Sequence, residues 1–162
     1  MKVEKIYLGG GCFWGVEDFY LKKFPSQIQK TCVGYMGGNT LNPTYKDVCS
    51  GTTNHAEVVE INYQAEDMTL EKILKSFFEI HDPTTKNRQG PEIGTQYRSC
   101  IFTTSIDQKN AAIEFIDKLE QSSHFSRPIV TEVELAGELW PAEEYHQKYF
   151  IKNPHKQNCH LF

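Results

Sequence analysis

The hydrophobic period of this chain changes across Gly9-Gly10-Gly11, within the stretch GGGCFWG. Before the triplet, Lys2 to Leu8 reads as a strand that runs into the glycine turn. After it, Phe13, Val16, Tyr20 and Phe24 recur at helical spacing and Pro25 stops the pattern. Ile28 to Tyr35 reads as a second strand, closed by Gly37-Gly38. The long irregular stretch GGNTLNPTYKDVCSGTTN follows, of a length that is uncommon in compact domains and often functional. His55 to Tyr63 is strand-like, and Thr69 caps a helix with Leu70, Ile73, Leu74, Phe77 and Phe78 on one face. After a second irregular stretch, HDPTTKNRQGPEIGTQ, Tyr97 to Thr103 reads as a strand. This order, strand-helix-strand-strand-helix-strand, predicts an α+β two-layer sandwich with a ferredoxin-like β-α-β-β-α-β core. Ser105 and Gln108 form a capping box for an extra helix carrying Ile113, Ile116 and Leu119 on one face. A last strand is expected over Ile129 to Leu135, then a short helix from Pro141 through Phe150 and an irregular C-terminal tail.

With 162 residues and no internal repeat or linker, the chain is expected to be a single catalytic domain, residues 1–162, with 152–162 as a mobile tail. The formal net charge of −4 gives no electrostatic case for nucleic acid or an anionic membrane surface. No apolar run approaches the roughly 20 residues of a membrane helix. The start, MKVEKIYLGGG, lacks the apolar region of a secretory signal, and a cytoplasmic location is expected. Five cysteines are present, Cys12, Cys32, Cys49, Cys100 and Cys159, none of them spaced C-x-x-C. That pattern excludes a thioredoxin-type motif and a zinc knuckle, and leaves buried thiols or reactive ones gathered by the fold.

Cys12 sits where the first helix begins. Unpaired amides and the positive end of the helix dipole favour a thiolate there, and the glycines are expected to leave the sulfur approachable. Cys12 is therefore a candidate nucleophile, although a lone cysteine is more often a small buried residue. Phe13 and Trp14 are consecutive, so on a helix they cannot both face one core, and at least one ring should stand beside the thiol. An aromatic wall next to a thiol suits a small apolar group such as a methyl on sulfur. A cysteine-dependent phosphatase would need an arginine six residues on, where Asp18 stands, and the glycine run lacks the lysine of a nucleotide loop. A Cys–His hydrolase or acyltransferase stays open, with His55, His81, His124, His146, His155 and His160 available.

The segments GCFWG (11–15), NPTYKDVCSG (42–51), HAEVV (55–59), HDPTT (81–85), RQG (88–90) and GTQYRS (94–99) occur in that order. In this the chain resembles the peptide methionine sulfoxide reductase A family over nearly its whole length. The resemblance implies reduction of the S epimer of methionine sulfoxide, in peptides or free. Cys12 would attack the sulfoxide sulfur and become a sulfenic acid. Glu57 would be the general acid, Tyr45 and Tyr97 would hydrogen-bond the sulfoxide oxygen, and Phe13 and Trp14 would hold the substrate methyl group. Glu92 stands where the family commonly has aspartate, and is taken to help fix substrate or the tyrosines. Cys159, in the tail, would resolve the sulfenic acid to a disulfide that thioredoxin, or dithiothreitol in vitro, reduces, with no cofactor and no metal. Cys49 is the runner-up as resolver, Cys32 and Cys100 are read as core thiols, and His146 as structural or pocket-lining. The expected partners are oxidised proteins and peptides, and thioredoxin, with the enzyme a monomer. A non-enzymatic thiol sensor is the third reading, and it has no use for an acid and two phenols.

Overall fold

The computed structural model describes residues 2–156. In chain order its elements are β1 (Val3–Gly9), α1 (Phe13–Lys23), β2 (Ile28–Met36), α2 (Tyr45–Cys49), β3 (Ala56–Gln64), α3 (Leu70–Ile80), the two-residue strands β4 (Arg88–Gln89) and β5 (Glu92–Ile93), β6 (Cys100–Thr103), α4 (Ile106–Gln121), β7 (Glu132–Leu135), β8 (Trp140–Pro141) and α5 (Tyr149–Lys152). Single 3₁₀ turns lie at Thr95–Tyr97 and Glu144–His146.

The sheet runs β7-β6-β1-β3-β2-β8. Its central four strands, β6-β1-β3-β2, are mutually antiparallel, which is the order of the expected ferredoxin-like core. The parallel β7 extends one edge and the antiparallel β8 the other. Alternation sends Ile6, Leu8, Val33, Tyr35, Val59 and Ile61 to the face packed against the helices. The opposite face carries Tyr7, Met36, Val58, Cys100 and Phe102, with Ala136 and Leu139 packed on them.

The helix caps follow the sequence in one case and depart from it in another. Thr69 accepts from the Lys72 N–H and starts α3, whose Ile73, Leu74, Phe77 and Phe78 are buried as expected. Ser105 accepts from the Gln108 N–H, but the Gln108 side chain reaches the Thr104 N–H instead of returning to Ser105, so the box closes only on one side. The buried face of α4 is Gln108, Ala112 and Ile116, and Ile113 is exposed.

The C-terminal region differs most from the sequence reading. Pro141 opens no helix. It lies in β8 at the sheet edge, paired with Gly34, where a missing amide costs little. The expected helix to Phe150 is split into a 3₁₀ turn and α5 by Lys148, which adopts left-handed φ of 53°. The region is held as a strap by side chains. Gln147 continues the ladder beyond β8: its Oε1 accepts from the Val33 N–H, and its Nε2 donates to the carbonyls of Val33 and Ala142. Buried Glu17 of α1 accepts from the Lys148 N–H and from the Thr31 hydroxyl, both at 2.7 Å. Gln147→Ala strips partners from two backbone positions at this edge. A stability loss of about 1–3 kcal/mol is expected in urea unfolding, and an unchanged midpoint would show that water replaces the amide.

Candidate active site

The strand-to-helix turn is a packing device. Gly9 and Gly10 are buried, and a Cβ on Gly10 would lie 3.2 Å from the rings of His81 and Phe77. Gly11 takes left-handed φ of 87° and turns the chain into α1. The first two glycines therefore serve close contact with the protein itself, and not open approach to the sulfur. Cys12 is the N-cap of α1, extended in backbone and half-buried, with no side-chain hydrogen bond to the helix.

The amides expected to face a thiolate have carboxylate partners. The Cys12 N–H donates to Glu92 Oε1 and the Phe13 N–H to Glu57 Oε1, each at 3.2 Å. Glu57 comes from the start of β3, opposite Tyr35 of β2, and is 1% exposed. Glu92 comes from the β4–β5 hairpin in the second irregular stretch. The hairpin is pinned to the end of α3 by Gln89, which accepts from the Asp82 N–H and donates to the Asp82 carbonyl.

Burial pushes the Glu57 carboxyl up to about 8, with the nearby Glu92 charge adding to it and the Phe13 amide opposing it. At neutral pH Glu57 is thus mostly protonated. Its Oε2 is buried and has no hydrogen-bond partner among the described residues. Tyr45, the first residue of α2, and Tyr97, the last of its 3₁₀ turn, both lie within electrostatic range of Glu57. Burial pushes both phenols well above their ordinary value, with Glu57 reinforcing the shift, so both remain O–H donors. Tyr97 is also within range of Cys12, Cys49 and Glu92.

Phe13 and Trp14 diverge as helix geometry requires. Phe13 is buried against Tyr35 and His146, with ring centroids 5.8 and 5.3 Å away. Trp14 is half-buried. Its Nε1–H donates to His146 Nδ1 at 2.9 Å, and its ring stacks on Tyr149, with centroids 3.7 Å apart and planes 6° apart. His146 is fully buried, and burial lowers its pKa, against the pull of Glu143. It is therefore neutral and able to accept from the indole. Glu143 accepts from the Tyr35 hydroxyl and the Tyr45 N–H, each at 2.9 Å, and so joins the strap to the start of α2. The sequence reading singled out His146 in EEYHQKY but missed Glu143, Tyr149 and Tyr35; the same motif carries two of them.

The remaining histidines of the described core have other partners. His55 bonds the Gly38 amide and the Thr40 carbonyl, and His81 the Phe77 carbonyl and Ser99. Cys32 and Cys100 lie on the far face of the sheet from Glu57, and burial pushes the Cys100 thiol up to about 12. Cys159 lies outside the described residues, as does most of the expected 152–162 tail. Among the described residues, no cluster of three or more His, Cys, Asp or Glu could hold a metal ion, and no helix is long and apolar enough to cross a membrane.

A family model described as peptide methionine sulfoxide reductase matches residues 4–162. The peptide methionine sulfoxide reductase MsrA of Methanothermobacter thermautotrophicus is 51% identical over 160 residues, covering 99% of this chain and 93% of that one. A probable peptide methionine sulfoxide reductase of Schizosaccharomyces pombe is 47% identical, covering 94% and 91%. Among solved structures, Saccharomyces cerevisiae Mxr1 in reduced form superposes with a TM-score of 0.91 at 39% identity, covering 98% of this chain and 90% of that one. Mxr1 in complex with Trx2 superposes with 0.67 at 25% identity, covering 99% and 89%.

The proton on Glu57 can be measured directly. Folded protein holds it up to about pH 8, while the ordinary carboxyl releases it near 4.5. Stability relative to Glu57→Gln should therefore be greatest below pH 4.5 and be lost as pH rises through 8. A protonated-carboxyl infrared band should persist at pH 7, fade above 8 and be missing from Glu57→Gln. Because the Glu92 charge raises Glu57, Glu92→Gln should move that titration to lower pH, though burial keeps it above the ordinary range.

Proposed function

The chain belongs to the peptide methionine sulfoxide reductase family, and from that premise we propose how its own residues carry the reaction. The protein reduces methionine sulfoxide in peptides to methionine, with thioredoxin as reductant, the partner type seen bound to Mxr1. Cys12 is assigned as the nucleophile that attacks the sulfoxide sulfur. A sulfoxide oxygen leaves poorly until it is protonated. Glu57 supplies the proton from Oε2, and Tyr45 and Tyr97 donate hydrogen bonds to the oxygen as charge gathers on it. As the Cys12–sulfur bond forms, the oxygen leaves as water with the protons of Glu57 and the Cys12 thiol; a water then attacks the Cys12 sulfur, methionine departs with the electron pair of that bond, and Cys12 is left as a sulfenic acid.

The observation that carries this reading is the pairing of a buried, protonated carboxyl with a cysteine at one helix start. Glu57 bonds the amide next to that of Cys12, and its second oxygen has no other described partner. A thiol sensor would not require such an acid. A Cys–His hydrolase would require a histidine held for Cys12, whereas His146 Nδ1 accepts from Trp14.

The methyl pocket is assigned to Phe13 and Trp14, with Trp14 fixed between Tyr149 and His146. Glu92, bonded to the Cys12 amide, sets the charge beside the reacting centre. Cys159 is proposed to resolve the sulfenic acid as a disulfide, which thioredoxin reduces. Action as one catalytic domain and as a monomer is proposed with it, the described groups assigned here lying within one fold. Dependence on reduced thiols supports a cytoplasmic setting.

With dithiothreitol and each epimer of a methionine sulfoxide peptide, methionine should form from the S epimer alone. Activity should vanish in Cys12→Ser and fall about 10²–10⁴-fold in Glu57→Gln. No product from either epimer would sink the assignment. His146→Ala should raise KM more than it lowers kcat, because it frees the Trp14 ring without touching the acid.

A further inference from the structure

The strap behind Trp14 contains a backbone conformation that a lysine does not adopt unaided. Lys148 lies at φ 53° and ψ 44°, in the left-handed region. Asn42, Asn54 and Asn87 also take positive φ, but a short polar side chain tolerates it through local hydrogen bonds. Lysine has no such support, and a residue of this kind stays left-handed only where its surroundings fix it. Lys148 is also the N-cap of α5. Its carbonyl accepts from the Ile151 and Lys152 amides at 3.1 and 3.0 Å, and Tyr149 is the first helical residue. The backbone at Lys148 therefore aims the Tyr149 ring. No residue of α5 is buried, so core packing does not place this helix.

Glu17 is what fixes the turn. Gln147 fastens the strap to β2 at the residue before the break, while the Lys148 amide itself is held by Glu17 Oε1 at 2.7 Å. Glu17 is 1% exposed, and its Oε2 accepts from the Thr31 hydroxyl at 2.7 Å, which steadies the carboxylate against β2. Trp14 and Glu17 are three positions apart in α1 and so share one side of it. On that side α1 meets the strap at two neighbouring points. Glu17 holds the Lys148 amide, and Trp14 stacks on Tyr149 with planes 6° apart. The helix that bears the substrate wall thus also bears the residue that places the ring behind it.

We propose that Glu17 is a positioning residue for substrate binding, which sets the Trp14 wall by holding the left-handed turn that carries Tyr149. The inference rests on the reading of Trp14 as a wall of the methyl pocket. Without the Glu17 acceptor, Lys148 relaxes to the right-handed backbone that lysine prefers, and Tyr149 swings off the indole. Trp14 keeps its edge bond to His146 but loses the ring that holds its face. The bonds from Glu57 and Glu92 to the start of α1 do not pass through the strap, so the acid and the nucleophile stay in place. The effect falls on affinity for the sulfoxide and not on the chemical step.

The test is single-turnover methionine formation at rising concentrations of a methionine-S-sulfoxide peptide, which separates half-saturation from plateau rate. Glu17→Ala should raise the half-saturation concentration about tenfold and leave the plateau within about twofold. Glu17→Gln should behave as the parent, since Oε1 still accepts from Lys148 and Nε2 donates to the Thr31 hydroxyl. Lys148→Pro breaks the turn from the exposed side while leaving Glu17 in the core. It removes the amide and fixes φ near −65°, and the extended backbone of Gln147 accommodates a following proline. It should reproduce the Glu17→Ala effect. Tyr149→Ala should do the same, and adding Glu17→Ala to it should raise half-saturation no further. An unchanged half-saturation in Lys148→Pro, a multiplying effect in the double variant, or a loss confined to the plateau would overturn the proposal. If Trp14→Ala leaves half-saturation unchanged, the wall reading itself fails and the proposal falls with it.

Discussion

The hydrogen bond from the Phe13 amide to Glu57 Oε1 ties the first turn of α1 to the start of the central strand β3, and the site is arranged around it. An ionised carboxylate this deeply buried, with no cation beside it among the described residues, would be very costly. The neutral acid costs far less, and the fold takes that solution. One oxygen is satisfied by a backbone amide and the other keeps the proton. The dryness that makes this work comes from Phe13, Tyr35 and His146, whose rings pack together over the start of α1. Apolar packing is thus the direct cause of the acid chemistry.

Glu143 shows the opposite outcome a short distance away. Burial pushes its carboxyl up, but the bonds from the Tyr45 amide and the Tyr35 hydroxyl outweigh burial and hold it below its ordinary value. Glu143 is therefore ionised where Glu57 is protonated, and the two glutamates divide the labour. The charged one is an anchor that fixes α2 and β2 to the strap. The neutral one is a proton source. Both depend on the strap between β8 and α5, since Glu143 and His146 belong to it and Gln147 and Lys148 are the points where it is fastened.

The central strands and α1, α3 and α4 were legible because their apolar residues recur at the period of one buried face, and because Thr69 and Ser105 are strong local caps. Where the reading failed, tertiary contacts overrode local signals. Pro141 has the look of a first helical residue, yet Gly34 offers it an edge pairing. The period over Glu143 to Phe150 is helical, but Glu17 captures the Lys148 amide and holds a left-handed break there. In the site, Cys12 was readable from its position at a period change. Glu57 was not readable from local pattern, since a strand glutamate ordinarily faces water and its partner amide, that of Phe13, lies 44 positions upstream. The motif resemblance supplied it. Glu143 and Tyr149 escaped because their partners, Tyr45 and Trp14, lie 98 and 135 positions upstream.

Two buried titrating groups bound the pH range in which this arrangement is intact. The wall formed by Trp14 needs His146 neutral, because Nδ1 must accept from the indole and a protonated ring would present a donor to a donor. Burial lowers the His146 pKa, so the neutral ring persists to more acidic pH than an exposed histidine would allow. The acid function needs Glu57 protonated, which burial extends upward to about 8. The same desolvation moves the two groups in opposite directions, since it disfavours the charged form of each. Opening the pocket to water would relax both shifts together. The acid and the Trp14 wall are therefore coupled through the exclusion of water.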